Sequence, residues 1–204
     1  MIFFTAIAAA ALAAQPAEST GSPSEPRLVR SLHRYANCIA QDRTQAVRTL
    51  LGMDFRTPEY GRTMVGLTRG DRLCEGAAEA ERSFGSSGLL FAGALAESLL
   101  RRDLAGQELA PRVAYDPARP AIEARNAGEV MAICVVREDT GATSRLLATG
   151  PATAEEVEVL RAMSAVLSGC VPARSEARFT REALRAVIAL AAYRLVQHNR
   201  AAAP

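Results

Sequence analysis

Two pairs of cysteines with the same spacing constrain this chain more than any other feature. Cys38 and Cys74 are 36 residues apart, and so are Cys134 and Cys170. The chain has no other cysteine, and self-similarity at a fixed separation is the signature of a duplicated structural unit. The spacing therefore predicts two copies of one unit, each with its own pair of cysteines.

Alignment of the sequence with itself supports the duplication. A shift of 96 residues, which is the separation of Cys38 and Cys134, pairs YANCI at 35–39 with MAICV at 131–135. The matches then continue in the same order to residue 96 of the first copy. Further matched pairs are Leu50-Leu51 with Leu146-Leu147, Thr57 with Thr153, Cys74 with Cys170 and, after a one-residue deletion, Phe84 with Phe179.

Apolar residues in both copies recur at helical spacing. The first helix is predicted from Pro26, where apolar side chains recur at intervals of three and four residues up to Ile39. No segment alternates long enough to be a strand. The predicted fold class is all-α, with two tandem copies of a short-helix repeat packed as one pseudo-symmetric helical bundle.

Capping residues predict where the later helices begin. Asp42 is expected to cap a second helix that ends near Leu51, and Asp139 has the same place in the second copy. A third helix is expected after Thr57, with its counterpart after Thr153, where a glutamate three residues on makes a capping box. The last helix of each copy is expected at about 86–102 and 180–198.

The four cysteines permit three disulfide connectivities. Pairing within each repeat, Cys38 with Cys74 and Cys134 with Cys170, is favoured because a duplicated unit had to be stable before it was duplicated. Closing a loop of this length contributes roughly 4 kcal/mol in the chain-entropy model. The alternative is pairing across the repeats, Cys38 with Cys134 and Cys74 with Cys170, which a two-fold axis would also permit.

The first residues predict export. Residues 2–14 (IFFTAIAAAALAA) form an uncharged apolar run with an A-x-A pattern at its end, and residues 15–25 are polar. This order is typical of a signal peptide, cleaved after Ala13 or Ala14. Thirteen apolar residues are too few for a membrane anchor, since a span needs about 20. We expect a periplasmic location in a Gram-negative cell, with secretion as the alternative, and no transmembrane segment in the mature chain.

Composition excludes several function classes. All 24 basic residues are arginines, so a P-loop or Schiff-base lysine is excluded. The net charge is only +2, and tryptophan is absent, so nucleic acid is not an expected partner. Cysteine and histidine spacing predicts no metal site, no cofactor motif is present, and no catalytic signature indicates an active site.

Three residues are candidates for a ligand or partner groove. Glu97 lies inside the apolar run ALAESLL, although a solvent-facing position is the simpler interpretation. Tyr115 lies in the proline-containing linker 103–126, where Val113 and Tyr115 are expected to be buried anchors. His198 lies near the end of the last helix and, like His33, is expected to be solvated.

The motif at 35–39 and its copy at 131–135, together with the alanine-rich leader and arginine without lysine, resemble a group of uncharacterised exported proteins of alphaproteobacteria. The resemblance covers most of the mature chain. It implies a periplasmic location and implies no activity.

These observations divide the chain into five parts. They are a signal peptide (1–14), a flexible N-terminal segment (15–25), repeat 1 (26–102), a linker (103–126) and repeat 2 (127–200). The leading hypothesis is a non-catalytic module that binds a protein or an apolar ligand between its repeats. The alternative is a hydrolase-type enzyme with dispersed residues, in which Glu97, Tyr115 or His198 would act.

Overall fold

The structure of the chain is a computed structural model that describes residues 25–69, 74, 88–173, 175 and 178–201. Within these ranges every regular element is a helix and no strand occurs, so the all-α fold class is confirmed there. The helices are α1 (Glu25–Asp42), α2 (Thr44–Gly52), α3 (Pro58–Thr68), α4 (Gly88–Leu104), α5 (Ala110–Val113), α6 (Ala127–Glu138), α7 (Thr140–Ala148), α8 (Ala154–Ala162), α9 (Ser164–Cys170) and α10 (Arg181–Ala201).

Two long helices, α4 and α10, lie against each other at the centre of the fold. Helix α1 packs on α4 and α6 packs on α10, and one hydrophobic cluster contains buried residues of both halves. The central helices meet at Gly93, where a Cβ would lie 2.5 Å from the Cα of Ala186. Only glycine allows the two backbones to come this close.

The disulfides join Cys38 to Cys74 and Cys134 to Cys170. Their Cα–Cα distances are 5.7 and 5.6 Å, within the range for unstrained bridges. The predicted pairing within each repeat is confirmed, and pairing of Cys38 with Cys134 is wrong. In the second half the bond fastens α9 to α6, so a short helix is held to the core covalently.

Side-chain caps set three helix starts that the sequence predicts. Thr57 accepts a hydrogen bond from the amide of Tyr60, and Thr153 accepts one from the amide of Glu156. Asp139 accepts one from the amide of Ala142 at the start of α7. These bonds satisfy amides that have no partner within the helix, which stabilises each start by about 1 kcal/mol.

The prediction that Asp42 caps α2 is wrong. The N-cap position is Arg43, which makes no side-chain cap bond. The Thr44 hydroxyl instead donates to the carbonyl of Ala40, one turn back, so α1 passes into α2 with a single non-helical residue between them.

The third helix of the second half is divided. Met163, which is fully buried, separates α8 from α9 with a ψ of −2°, so the predicted continuous face to Cys170 is interrupted at this residue. Helix α10 extends to Ala201, three residues beyond the expected end. In the first half the expected start at Ser86 lies outside the described residues.

Helix α4 extends two residues into the predicted linker 103–126, and the rest of the linker contains one short helix, α5. Val113 is buried as predicted and anchors the linker to the core. The prediction that Tyr115 is a second anchor is wrong, because its side chain is 61% exposed. The guanidinium of Arg137 lies over its ring, 5.3 Å from the centroid. A surface cation–π contact therefore replaces the expected burial.

The predicted signal peptide (1–14), residues 15–24 of the N-terminal segment and Phe84 lie outside the described residues. No helix in the part that the structure describes is long and apolar enough to cross a membrane. The two disulfides are consistent with an exported protein, because such bonds persist in oxidising compartments.

Candidate functional site

The structure does not bring Glu97, Tyr115 and His198 into one cavity. Glu97 is buried in the middle of α4, whereas Tyr115 is exposed on the linker. His198 is half-buried on α10, with Nε2 2.9 Å from the carbonyl oxygen of Pro120. His198 therefore holds the linker against α10, and the three residues have separate surroundings.

The expectation that Glu97 faces solvent is wrong. Its side chain is almost completely buried and forms a two-bond ion pair with Arg185 of α10. Arg185 Nε donates to Oε2 at 2.9 Å, and Nη2 donates to Oε1 at 2.8 Å. This parallel geometry is the strongest form of an arginine–carboxylate contact.

Every N–H group of Arg185 has a partner. Besides its two bonds to Glu97, the guanidinium donates to Glu156 Oε1 at 3.1 Å. It also donates to the hydroxyl and the carbonyl oxygen of Thr149, both at 2.9 Å. Five donors thus make five bonds, which is the full capacity of a guanidinium. We call Arg185, Glu97, Glu156 and Thr149 the buried ion cluster.

The electrostatics of the cluster keep Arg185 charged. Burial opposes its charge, but the hydrogen bonds and attraction to Glu97 and Glu156 outweigh burial, so the pKa of Arg185 is raised. Arg101 also donates to Glu97, at 2.7 Å, and Arg181 lies 3.3 Å from Glu156. Each buried carboxylate therefore has a second, more exposed arginine beside it.

His33 borders the cluster from α1, with Nδ1 3.9 Å from Glu97 Oε2. Burial lowers the pKa of His33 to about 4, although attraction to Glu97 opposes this shift. The imidazole is therefore neutral at pH 7. The charges in the buried ion cluster are those of Arg185 and the two glutamates.

The contacts of the buried ion cluster leave Glu97 little capacity for acid–base chemistry. Glu97 is paired with a permanent cation and shielded from solvent, so it has neither free access nor an open position for a substrate proton. Its members come from α4, α10, α8 and the residue that follows α7, so the cluster ties both halves of the chain together. Removal of Arg185 would leave two buried carboxylates without their central cation.

Sequence reasoning missed Arg185 and Glu156. The sequence predicts Glu156 only as the glutamate of the capping box after Thr153, and it predicts no role for Arg185. One signal was present in the sequence. Glu97 and Arg185 are opposite charges that each lie inside a strongly apolar helical run, and such residues are rarely buried unless they are paired.

A second feature is an apolar cavity of about 590 Å³ between the two halves. We call it the apolar cavity. Its walls are formed by the end of α2, the start of α4, the start of α6 and one side of α10. Its apolar lining residues are Leu51, Met53, Phe55, Tyr60, Leu89, Ala92, Ala127, Phe179, Val187 and Leu190.

The polar lining residues of the apolar cavity that the structure describes include an ion pair. Arg194 is ion-paired with Glu129, and Arg125 donates its backbone amide to the same carboxylate at 2.6 Å. Tyr60 contributes its ring, and burial raises the pKa of its hydroxyl to about 12. Arg194 and Glu129 are thus occupied with each other, whereas the Arg125 guanidinium forms no ion pair with a described carboxylate. The remaining wall presents hydrocarbon and aromatic surface.

A third feature is an open groove of about 1,400 Å³ between α1, the end of α4 and α7. Arg27, Arg30 and Arg34 of α1 and Arg101 of α4 lie along it. We call it the arginine groove. It shares no lining residue with the apolar cavity.

The part of the chain that the structure describes contains no group of three histidine, cysteine or acidic residues placed to hold a metal ion. Comparison of the chain with protein-family models, with curated proteins and with solved structures finds no match. The interpretation of the site therefore depends on its geometry alone.

Proposed function

We propose that this protein is a non-catalytic, exported helical module that binds a small apolar ligand in the apolar cavity. The observation that carries the proposal is the cavity itself, whose lining comes from both halves of the chain. Ligand sites in proteins are mostly apolar concavities of about 300–1,000 Å³, and this cavity lies within that range.

The helix starts support a tandem repeat. Helices α2 and α7 begin at Thr44 and Thr140, and α3 and α8 begin at Pro58 and Ala154. Both separations equal the 96-residue shift of the sequence alignment. The two disulfides also close loops of equal length. A pseudo-symmetric arrangement of two copies accounts for these coincidences with a single duplication.

Differences between the two copies support a binding role for the apolar cavity. It lies where the second copy has the buried ion cluster. The 96-residue shift matches Glu156 with Tyr60, and Thr149 with Met53. In the second copy these positions hold two partners of Arg185 and belong to the buried ion cluster. In the first copy they are apolar and line the cavity. Sequence divergence between the copies thus accounts for the charged cluster in the second copy and the open apolar cavity beside the first.

A periplasmic location accounts for the covalent framework. Disulfides form readily in the periplasm and are rare in the cytosol. The apolar leader at 2–14 supports export through a cleavable signal peptide. An apolar molecule in this aqueous compartment is stabilised by binding in a protein cavity, because burial of apolar surface is favourable by about 25 cal/mol for each Å².

The experiment is a titration with the fluorescent apolar probe N-phenylnaphthylamine, followed by displacement with straight-chain alkyl compounds. The chain contains no tryptophan, so background fluorescence is low. We expect saturable binding with one site. Val187→Trp, which places an indole in the cavity, is expected to weaken binding at least tenfold, about 1.4 kcal/mol.

The matched control is Val65→Trp, because Val65 is 49% exposed on α3 and does not line the cavity. It should bind the probe as the unmodified protein does. Equal binding by both tryptophan variants would place the probe elsewhere and contradict the proposal. Circular dichroism at 222 nm verifies that each variant retains its helices.

A further inference from the structure

The arginine groove carries an unusual arrangement of charge. Arg27, Arg30 and Arg34 are spaced by three and four residues on α1, so their side chains share one face of the helix. Neighbouring like charges at this spacing destabilise a helix. The arrangement is therefore not explained by the stability of α1.

No described carboxylate lies within ion-pair distance of these three arginines. Arg30 makes one long bond, 3.4 Å, to the carbonyl oxygen of Ala152, and Arg34 donates to the Ser31 hydroxyl at 3.0 Å. All three side chains are exposed. Most of their N–H donors therefore point to solvent and are free to bind an anion.

The other residues of the groove add apolar surface. Leu104 of α4 and Leu147 of α7, which are half-buried, lie along it, whereas the lining residues Leu100 and Leu109 are buried. Glu108 is its exposed acid, whereas Glu97 is occupied by Arg185 and Arg101. A matching partner thus combines negative charge with apolar side chains.

We propose that the arginine groove binds an acidic peptide segment of a partner protein, with carboxylates on the α1 arginines and apolar side chains on the leucines. The volume of about 1,400 Å³ exceeds what a single small anion fills. A peptide supplies both kinds of group along one chain, and the arginine fork matches carboxylate geometry.

Other anionic partners agree less well with the groove. A membrane surface is flat, whereas this site is a concavity between three helices. Single-stranded nucleic acid uses aromatic side chains for base stacking, and none of the described residues that line the groove is phenylalanine, tyrosine or tryptophan. The proposal does not depend on the apolar cavity, since the two sites share no lining residue.

The test is fluorescence anisotropy on the full oxidised protein, with a labelled peptide that alternates glutamate and leucine. A glutamine–leucine peptide, an all-glutamate peptide and tripolyphosphate are the competitors. We expect saturable binding of the first peptide that weakens at least tenfold in Arg30→Gln/Arg34→Gln. The matched control Arg62→Gln, an exposed arginine on α3 outside the groove, should leave binding unchanged.

Several outcomes would overturn the proposal. Equal binding of the glutamine–leucine peptide would show that charge is not recognised, and equal competition by tripolyphosphate would show that only charge is. An equal loss in Arg62→Gln would indicate a general effect of net charge. A dimer that forms without peptide and dissociates in Arg30→Gln/Arg34→Gln would assign the groove to a second copy of this chain.

Discussion

Replacement of Arg185 by methionine tests whether the buried ion cluster holds the two halves together. Methionine preserves most of the apolar stem of arginine but removes all five donors. Glu97 and Glu156 are then buried, with side chains 2% and 1% exposed, without their central cation. The change therefore isolates the charge of Arg185 from its packing.

The magnitude follows from the contacts that remain. Removal of one partner of a buried ion pair costs about 3–5 kcal/mol, because the other charge stays buried and uncompensated. Arg101 and Arg181 still contact the two carboxylates and offset part of this cost. We therefore expect the free energy of unfolding to fall by about 3 kcal/mol, the lower end of the range.

The assay is urea unfolding of the oxidised protein, followed by circular dichroism at 222 nm. The matched control is Arg101→Met, which removes a bond to the same carboxylate from a side chain that is 50% exposed. An exposed pair contributes about 1 kcal/mol or less, so this control should be only slightly less stable than the unmodified protein.

The loss in Arg185→Met should also depend on pH. An unpaired buried carboxylate binds a proton more tightly in the folded state, so acid stabilises the variant relative to neutral solution. We expect the loss at about pH 5 to be smaller than at pH 7, and Glu97→Gln in the same chain to restore part of the stability. Equal losses in Arg185→Met and Arg101→Met, or a loss that does not change with pH, would refute the reasoning.

Three further predictions concern other parts of the fold. Burial lowers the pKa of His33 to about 4, so the unfolded state binds a proton first as pH falls below the ordinary value of 6.5. Acid from pH 6.5 to 4 should therefore remove up to about 3 kcal/mol of stability, and His33→Asn should flatten this slope in pH-dependent urea unfolding. Gly93→Ala should cost about 1–3 kcal/mol in thermal or urea unfolding because its Cβ meets α10, whereas Gly66→Ala, with open space around it, should be neutral or slightly stabilising. Replacement of both Cys134 and Cys170 by alanine should cost about 2–4 kcal/mol, and reduction of the unmodified protein should cost at least as much when measured by the same method.

Features set by local sequence could be predicted. The helices follow from apolar periodicity, and three caps follow from a threonine or aspartate placed before the helix start. Asp42 does not cap α2. The Thr44 hydroxyl donates to a carbonyl of α1 instead, and only one residue separates the two helices. The disulfide pairing was predictable because two cysteine pairs with equal spacing suggest two like units, each closed by its own bond.

Features set by packing could not be predicted. Glu97 and Arg185 are 88 residues apart, and neither residue carries a local signal of which charge it meets. Periodicity places a side chain on a helix face but does not give the rotation of that helix against its neighbours. Tyr115 is a second example of a burial that the sequence could not predict. Val113 is buried in the core, whereas the Tyr115 ring, two residues later, lies on the surface.

The sequence by itself determined the helices and the covalent framework, because periodicity, capping and cysteine spacing act over short distances or through the chain. The tertiary structure decided what lies between the two halves. The packing of the helices encloses charge at Glu156 and leaves apolar space at Tyr60. The candidate ligand sites are thus products of helix packing, which depends on contacts between residues far apart in the chain.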